Sequence, residues 1–207
     1  KNMSEANIVK ANAMVQIATN KALKEKAPRY DKKKLEEAVD YVLTLTTEYD
    51  AFLEKIYKAF WDAGVILEVL PNIAGSNTNG ATKKIGNNIV LMVNDRRLYS
   101  DTFWFTLFHE IGHIMNGDYG ISFEKEKGEM ENKADQYARD ILIDPEEYNI
   151  FISDRRFDSV SIKRFARSID RDPGIVLGRL QNDRLVGYTD KLLNSLKHKY
   201  EVRYTNY

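Results

Sequence analysis

Apolar positions recur at helical spacing through much of the chain and predict a helix-rich protein. From Asp31 onward, apolar residues follow one another every three or four positions in two runs, which predict helices over residues 32–45 and 48–63. Thr47 is the expected N-cap of the second helix, and Gly64 the expected end. The first 30 residues are polar with weak periodicity, a pattern compatible with a helix, a linker or an arm.

A β-rich stretch follows these helices. Val65 to Leu70 is a short run closed by Pro71, and residues 81–85 and 89–93 flank Gly86-Asn87-Asn88 in a pattern typical of a hairpin. Three short strands are therefore predicted before residue 100, and we expect them to form a small antiparallel sheet beside the next helix.

That next helix is predicted to be buried, because residues 103–108 and Ile111, Ile114 and Met115 are apolar on nearly every face. Ser100 or Asp101 is its expected cap, and Asn116-Gly117 should end it. After a glycine- and charge-rich loop at 117–128, a helix is predicted over 129–143. Shorter helices are expected near 145–152, 159–168, 173–182 and 189–197.

His109-Glu110-Ile111-Gly112-His113 is an HExxH motif that uses two of the three histidines of the chain. A step from i to i+4 turns a helix by about 400°, so both imidazoles point to one side at a spacing that suits Zn²⁺. Glu110 lies about 60° around the helix from His113, where a general base should sit. The motif predicts a zinc hydrolase; the alternative is two histidines that are only hydrogen-bonded in a core.

A catalytic zinc needs three protein ligands and an open position for water. His198 lies far along the chain in an expected exposed, charged helix, so the third ligand should be a carboxylate. Glu131 is the expected ligand, because it begins an ExxxD pattern whose carboxylates share one helix face. Asp135 would then accept the outer N–H of a ligand histidine. Competing ligands are Glu124, Glu129 and Asp118, and such a site also accepts Mn²⁺ or Fe²⁺.

Three separated segments carry a family resemblance: FWFTLFHEIGHIMNGD, ENKADQYARDILIDPEEY and SIKRFARSIDRDPGIVLGRLQND. Together with NGATKKIGNNIVLMVNDR, which looks like an edge strand, they resemble the ImmA/IrrE family of zinc-peptidase-like proteins. The likeness is strongest to members fused to or encoded beside XRE-type helix-turn-helix repressors, and it spans about Leu35 to Tyr204. In the family the third ligand is the first glutamate of a segment resembling E-x-E-A-N-x-F-A, which falls on Glu131. Here Lys133 and Asp135 replace the second glutamate and the asparagine.

The resemblance implies a gluzincin-like core that cuts, or only sequesters, a cognate repressor and so induces stress or mobile-element genes. In the peptidase interpretation, Glu110 takes a proton from water and delivers it to the leaving amine. Strand 89–93 or its partner 81–85 is expected to hold an extended substrate by strand addition. The candidate oxyanion stabilisers, which the sequence does not rank, are Tyr119, Tyr137, Arg179 and Tyr188.

A second hypothesis is a non-catalytic regulator or antitoxin that binds a toxin, another protein or DNA. Ser161 to Gln181 has the pattern of a helix-turn-helix, and residues 155–184 carry eight Lys/Arg against four Asp/Glu. The apolar face of this pair is formed by Phe165, Ile169, Ile175, Val176 and Leu180. We expect that face to pack or to dock a protein partner, and we do not expect direct DNA binding.

Composition adds further limits. Lys plus Arg equals Asp plus Glu at 31 each, so the total charge gives no support for binding nucleic acid or a membrane surface. No apolar run approaches the roughly 18 residues of a membrane span, and the absence of cysteine excludes disulfides and thiolate metal sites. A cytoplasmic protein is expected. The chain opens at Lys1 rather than methionine, which suggests a fragment or a processed form.

These patterns together predict an α+β protein with three parts. Residues 1–30 are an N-terminal arm or linker helix, and residues 31–152 a helix-rich, zincin-like metallopeptidase domain with a small antiparallel sheet. Residues 153–207 are a C-terminal helical, helix-turn-helix-like subdomain.

Overall fold

The computed structural model describes residues 4–96, 99–123 and 128–200. Helices α1 (Glu5–Ala22), α2 (Lys32–Thr44) and α3 (Phe52–Asp62) precede strands β1 (Val65–Leu70), β2 (Thr78–Ile85) and β3 (Asn88–Asn94). They are followed by α4 (Ser100–Asn116), β4 (Ile121–Phe123), α5 (Glu129–Leu142), α6 (Pro145–Ser153), α7 (Ser159–Ser168), α8 (Pro173–Asn182) and α9 (Lys191–Asn194). The predicted α+β class is confirmed.

Within these ranges the strands form one mixed sheet in the order β1-β3-β2-β4. β2 and β3 make the predicted antiparallel hairpin, but β1 runs parallel to β3, so the expectation of an entirely antiparallel sheet is wrong. The second strand of the hairpin, β3, lies next to β1, and the first strand, β2, lies one position further out. β4 pairs antiparallel with β2 and lies inside the stretch predicted to be a loop at 117–128.

The sheet has a helix layer on each face, because alternate residues of a strand point to opposite sides. On one face, β1 and β3 pack against the main core, which includes α2, α3, α4 and α8. On the other face, Met14, Ala18 and Ala22 of α1 cover Ile66 and Met92. Helix α1 therefore belongs to the packed structure around the sheet.

Two predicted helix starts are wrong. Thr47 lies in a 3₁₀ turn after α2, and Ala51, in the left-handed region at φ 56°, precedes α3 without a side-chain cap. Tyr99 is the N-cap residue of α4, and its side chain likewise makes no capping hydrogen bond. Asp101 instead forms an ion pair with Lys197, in which Lys197 Nζ and Asp101 Oδ2 are 2.6 Å apart.

The missing cap of α4 is replaced by the chain after α9. The Ser100 N–H donates to the His198 carbonyl at 2.8 Å, and Tyr99 forms an isolated bridge with Lys199. Trp104 Nε1 donates to the Tyr200 hydroxyl at 2.8 Å inside the core. This tail segment, residues 198–200, therefore closes over the amino end of α4.

His198 is placed differently from the expectation of an exposed helical residue. It follows α9 and is half-buried, with its ring 4.2 Å from that of Tyr49. Its position at the amino end of α4 is remote from the HExxH residues, which lie more than two turns along that helix.

Helices α7 and α8 form the expected helical pair, and α8 packs against α4. Ile175, Val176 and Leu180 of α8 are buried in the main core. Asp172, in the turn between α7 and α8, is fully buried; it accepts hydrogen bonds from Gly174 N–H and Tyr49 O–H. None of the helices in the described ranges combines the length and apolar composition that a bilayer crossing needs.

Candidate metal centre

A close contact between α4 and α5 builds the site. A Cβ atom added to Gly112 would lie 3.0 Å from the Cα of Ala134, tighter than ordinary packing, so glycine allows the two helices to approach. Glu131 lies one turn before Ala134 on α5. The approach therefore carries its carboxylate to the histidine face of α4.

The structure brings together His109, His113 and Glu131, whose ligand atoms all lie within 4.8 Å of one another. The two Nε2 atoms are 3.1 Å apart. Glu131 Oε2 lies 3.3 Å from His109 Nε2, and Oε1 lies 3.4 Å from His113 Nε2. Three donors thus converge on one point.

These distances fit a metal ion. Tetrahedral coordination with bonds of about 2.0–2.1 Å places neighbouring ligand atoms about 3.3 Å apart. Two imidazole nitrogens and one carboxylate are also a donor set found in catalytic zinc sites, and the same set suits Mn²⁺ and Fe²⁺. His109, His113 and Glu131 could therefore hold a divalent cation.

Each histidine is oriented by a carboxylate on its other nitrogen. His109 Nδ1 lies 2.8 Å from Asp135 Oδ1, and His113 Nδ1 lies 2.7 Å from Asp118 Oδ1. Such partners accept the Nδ1–H and leave Nε2 free to ligate. The sequence singled out Asp135 for this contact, whereas it offered Asp118 only as a competing ligand.

The surrounding carboxylates favour a cation here. Burial lowers the pKa of His109, but hydrogen bonds to Asp135 and Glu131 raise it to about 10. Hydrogen bonds to the two histidines lower the pKa of Glu131 to about 2. Four carboxylates, counting Glu110 and Asp118, surround the two imidazoles. A divalent cation would reduce the electrostatic repulsion between these carboxylates.

Glu110 is fully buried, and neither of its carboxylate oxygens has a hydrogen-bond partner among the described residues. Burial raises its pKa to about 7, against the lowering effects of His109, of the nearby Ser122 side chain and of His113. Its side chain lies against Gly80 of β2, where an added Cβ would meet the carboxylate, 2.7 Å from Cδ. The sequence gave no signal for this contact, because it joins a strand glycine to a helix thirty positions later.

None of the three competing ligand candidates, Glu129, Asp118 and Glu124, is placed by the structure as the third ligand. Glu129 has an 81% exposed side chain and pairs with Lys133. Asp118 contacts the Nδ1 of His113, and Glu124 lies outside the described residues.

The four candidate oxyanion stabilisers are dispersed. Tyr137 is half-buried, and its burial, together with Asp40 and Glu36 of α2, raises its pKa. Arg179 and Tyr188 line a cavity next to α8, and Tyr119 is exposed beside Asp118. The structure does not gather these side chains at the metal group.

The sheet order limits where an extended peptide could bind by strand addition. β3 lies between β1 and β2, so it has no free edge and the expectation for strand 89–93 is wrong. β2 is covered by β4 from Thr78 to Ala81, and the Thr82 N–H donates to the Gly120 carbonyl. The edge nearest Glu110 is therefore β4, which the sequence did not predict.

Comparison with known proteins agrees with the geometry. Residues 69–168 match the family model of the IrrE N-terminal-like domain, Peptidase_M78. They run from the end of β1 to the end of α7 and include every residue of the candidate centre. No curated protein matches the chain significantly. The family match confirms the resemblance that the sequence motifs indicated.

Proposed function

Residues 69–168 match the IrrE N-terminal-like family of metallopeptidases, and from that match we propose that the chain is a zinc-dependent endopeptidase whose substrate is a cognate XRE-type repressor. The peptidase class rests on the family. The repressor is proposed from the resemblance to proteins encoded with XRE repressors, and a cytoplasmic location is proposed because such repressors act there. Cleavage would induce stress or mobile-element genes.

Glu110 is the observation that carries the enzymatic proposal. A carboxylate buried without a hydrogen-bond partner costs several kcal/mol, and a merely structural helix would place an apolar residue there. These are the properties of a general base: it lies beside the metal ligands, shielded from bulk solvent, and its pKa is raised toward neutrality.

The residues around it have distinct roles. His109, His113 and Glu131 would hold Zn²⁺, which supplies Lewis-acid polarisation of the scissile carbonyl and a lowered pKa for water. Glu110 accepts a proton from the attacking water as its oxygen bonds to the carbonyl carbon. Glu110 then delivers that proton to the amide nitrogen as the C–N bond breaks. Asp118 and Asp135 keep the imidazoles from rotating.

The test compares wild type with Glu110→Gln on XRE-type repressors taken from the same genome, with fragments identified by mass spectrometry. The amide is nearly isosteric, so the variant should keep its fold and metal and lose cleavage by about 10²–10⁴-fold. Glu129→Gln, which changes an exposed glutamate of α5, should cleave like wild type. Equal relief of repression in cells by wild type and Glu110→Gln would overturn the peptidase proposal and favour a regulator or antitoxin that acts by binding.

A further inference from the structure

A cavity of about 240 Å³ lies between α4, α5 and α8. None of the metal-centre residues lines it, but its lining begins one helical turn away from them. Phe105 lies one turn before His109 on α4, with ring centroids 6.2 Å apart, and Arg139 lies one turn after Asp135 on α5. A chain bound at the centre could therefore reach this cavity with a side chain close to its cleaved bond.

Much of the cavity wall is apolar. Phe105, Leu142, Ile143 and Ile175 line it, and the last three are buried. Its volume is below the roughly 300–1,000 Å³ of sites for drug-sized ligands. The size and lining suit one amino-acid side chain with an aliphatic stem.

The polar side of the cavity carries an excess of positive charge. Arg139 Nη2 and Arg179 Nε contact the two oxygens of Asp183 at 2.8 and 2.9 Å, so one carboxylate serves two guanidinium groups. The buried Arg139 Nε has no hydrogen-bond partner among the described residues. Asp101 also lines the cavity, but Lys197 neutralises it. One positive charge thus remains without a counter-charge among these groups.

We propose that this cavity is the subsite for an acidic side chain of the polypeptide that is cleaved at the metal centre. The apolar wall packs against its methylene groups, and the guanidinium groups of Arg139 and Arg179, which also line the cavity, attract its carboxylate. The proposal rests on the proposed peptidase function, because that function supplies the polypeptide. It names a feature of the substrate that the family assignment leaves open.

The subsite can be tested without catalysis. N-acetyl-glutamate methylamide, its glutamine, leucine and lysine counterparts, and N-acetyl-leucine are titrated into the ¹⁵N-labelled full chain, with the Arg139 Nε–H and neighbouring amides observed by NMR. The glutamate compound should bind about tenfold more tightly than the glutamine compound, as expected for a hydrogen bond to a charged group. Equal binding of the two would overturn the proposal, and so would tighter binding of N-acetyl-leucine, which would indicate a chain terminus as the ligand.

Variants locate the effect. Arg139→Gln should abolish the preference for glutamate, whereas Arg167→Gln, at an exposed arginine of α7, should retain it. Since Arg139→Gln also removes a partner of Asp183, Asn182→Phe provides a second variant: Asn182 is exposed at the rim, and a larger side chain there blocks the cavity with both arginines intact. Binding by Asn182→Phe as tight as wild type would contradict the site.

Failure of the subsite is distinguishable from failure of the peptidase. In the repressor that wild type cleaves, each acidic residue within three positions of the cleaved bond is replaced by its amide. Cleavage should fall about tenfold for one of them, in line with the binding difference. Undiminished cleavage of all these substrates would refute the acidic subsite and leave the peptidase standing.

Discussion

The contact between Gly80 and Glu110 makes a quantitative prediction for Gly80→Ala. The added methyl would lie 2.6 Å from Cγ and 2.7 Å from Cδ of Glu110. Carbon atoms make their best contact at about 3.5–4.0 Å, so the carboxylate must move by roughly 1 Å. The strand need not move, because the obstructed atoms belong to a side chain with rotatable bonds.

Activity and stability should therefore respond differently. A displacement of about 1 Å at a reacting group costs about 10²-fold in rate. Overpacking that a side chain can relieve should cost about 1 kcal/mol, or about 2–4 °C in Tm for a chain of this size. Metal content should be unchanged, because the three atoms nearest to the new methyl all belong to Glu110 and none to a ligand.

The assay measures kcat/KM for repressor cleavage together with Tm and bound metal. Gly120→Ala is the matched control, because an added Cβ there meets no atom within 4 Å. Gly120 directly precedes β4, the strand that pairs with the Gly80 strand β2. Wild-type cleavage by Gly80→Ala would refute the inference that the strand glycine positions the base. A loss of activity accompanied by loss of metal would refute it as well, because the damage would then extend to the ligands.

Three further predictions concern the metal and the surface. Purified protein should hold about one divalent ion per chain, and Glu131→Gln should weaken metal binding while Glu129→Gln does not. The reverse result would show that Glu129 is the third ligand. Asp118→Asn and Asp135→Asn should each lower metal affinity by about 10–100-fold, measured by competition with a chelator, and unchanged affinity in both would show that the histidines need no such support. The isolated chain should show little binding to duplex DNA at physiological salt, and sub-micromolar binding that weakens steeply with salt would contradict this.

Local pattern was sufficient where the structure depends on local spacing. The i to i+4 step of HExxH and the ExxxD pattern predicted the residues that the structure gathers, because a regular helix fixes which side chains share a face. Helices α5, α7 and α8 were also predicted within a residue or two. The sheet was less predictable, since strand order depends on which edges meet in space.

Features that depend on distant chain were missed for the same reason. β4 has only Ile121, Ser122 and Phe123, too few residues to show an alternating pattern inside a charged loop. The acceptor for the first amide of α4 is a backbone carbonyl far along the chain, which no capping motif reveals. The pairing of Asp118 with His113 depends on the turn after Gly117, at φ 74°, which returns the chain toward the helix.

The tail segment at residues 198–200 has a consequence for the order in which the protein assembles. Trp104 and Tyr200 are separated by 96 positions, so closing their contact is a long-range event with a large loop-closure cost. At about 5–20 residues per second, a ribosome needs roughly 5–20 s to make the intervening chain. During that time the first amide of the helix with both histidines lacks its acceptor in the folded protein, the His198 carbonyl. A nascent chain therefore completes the amino end of that helix only after residues 198–200 have been synthesised.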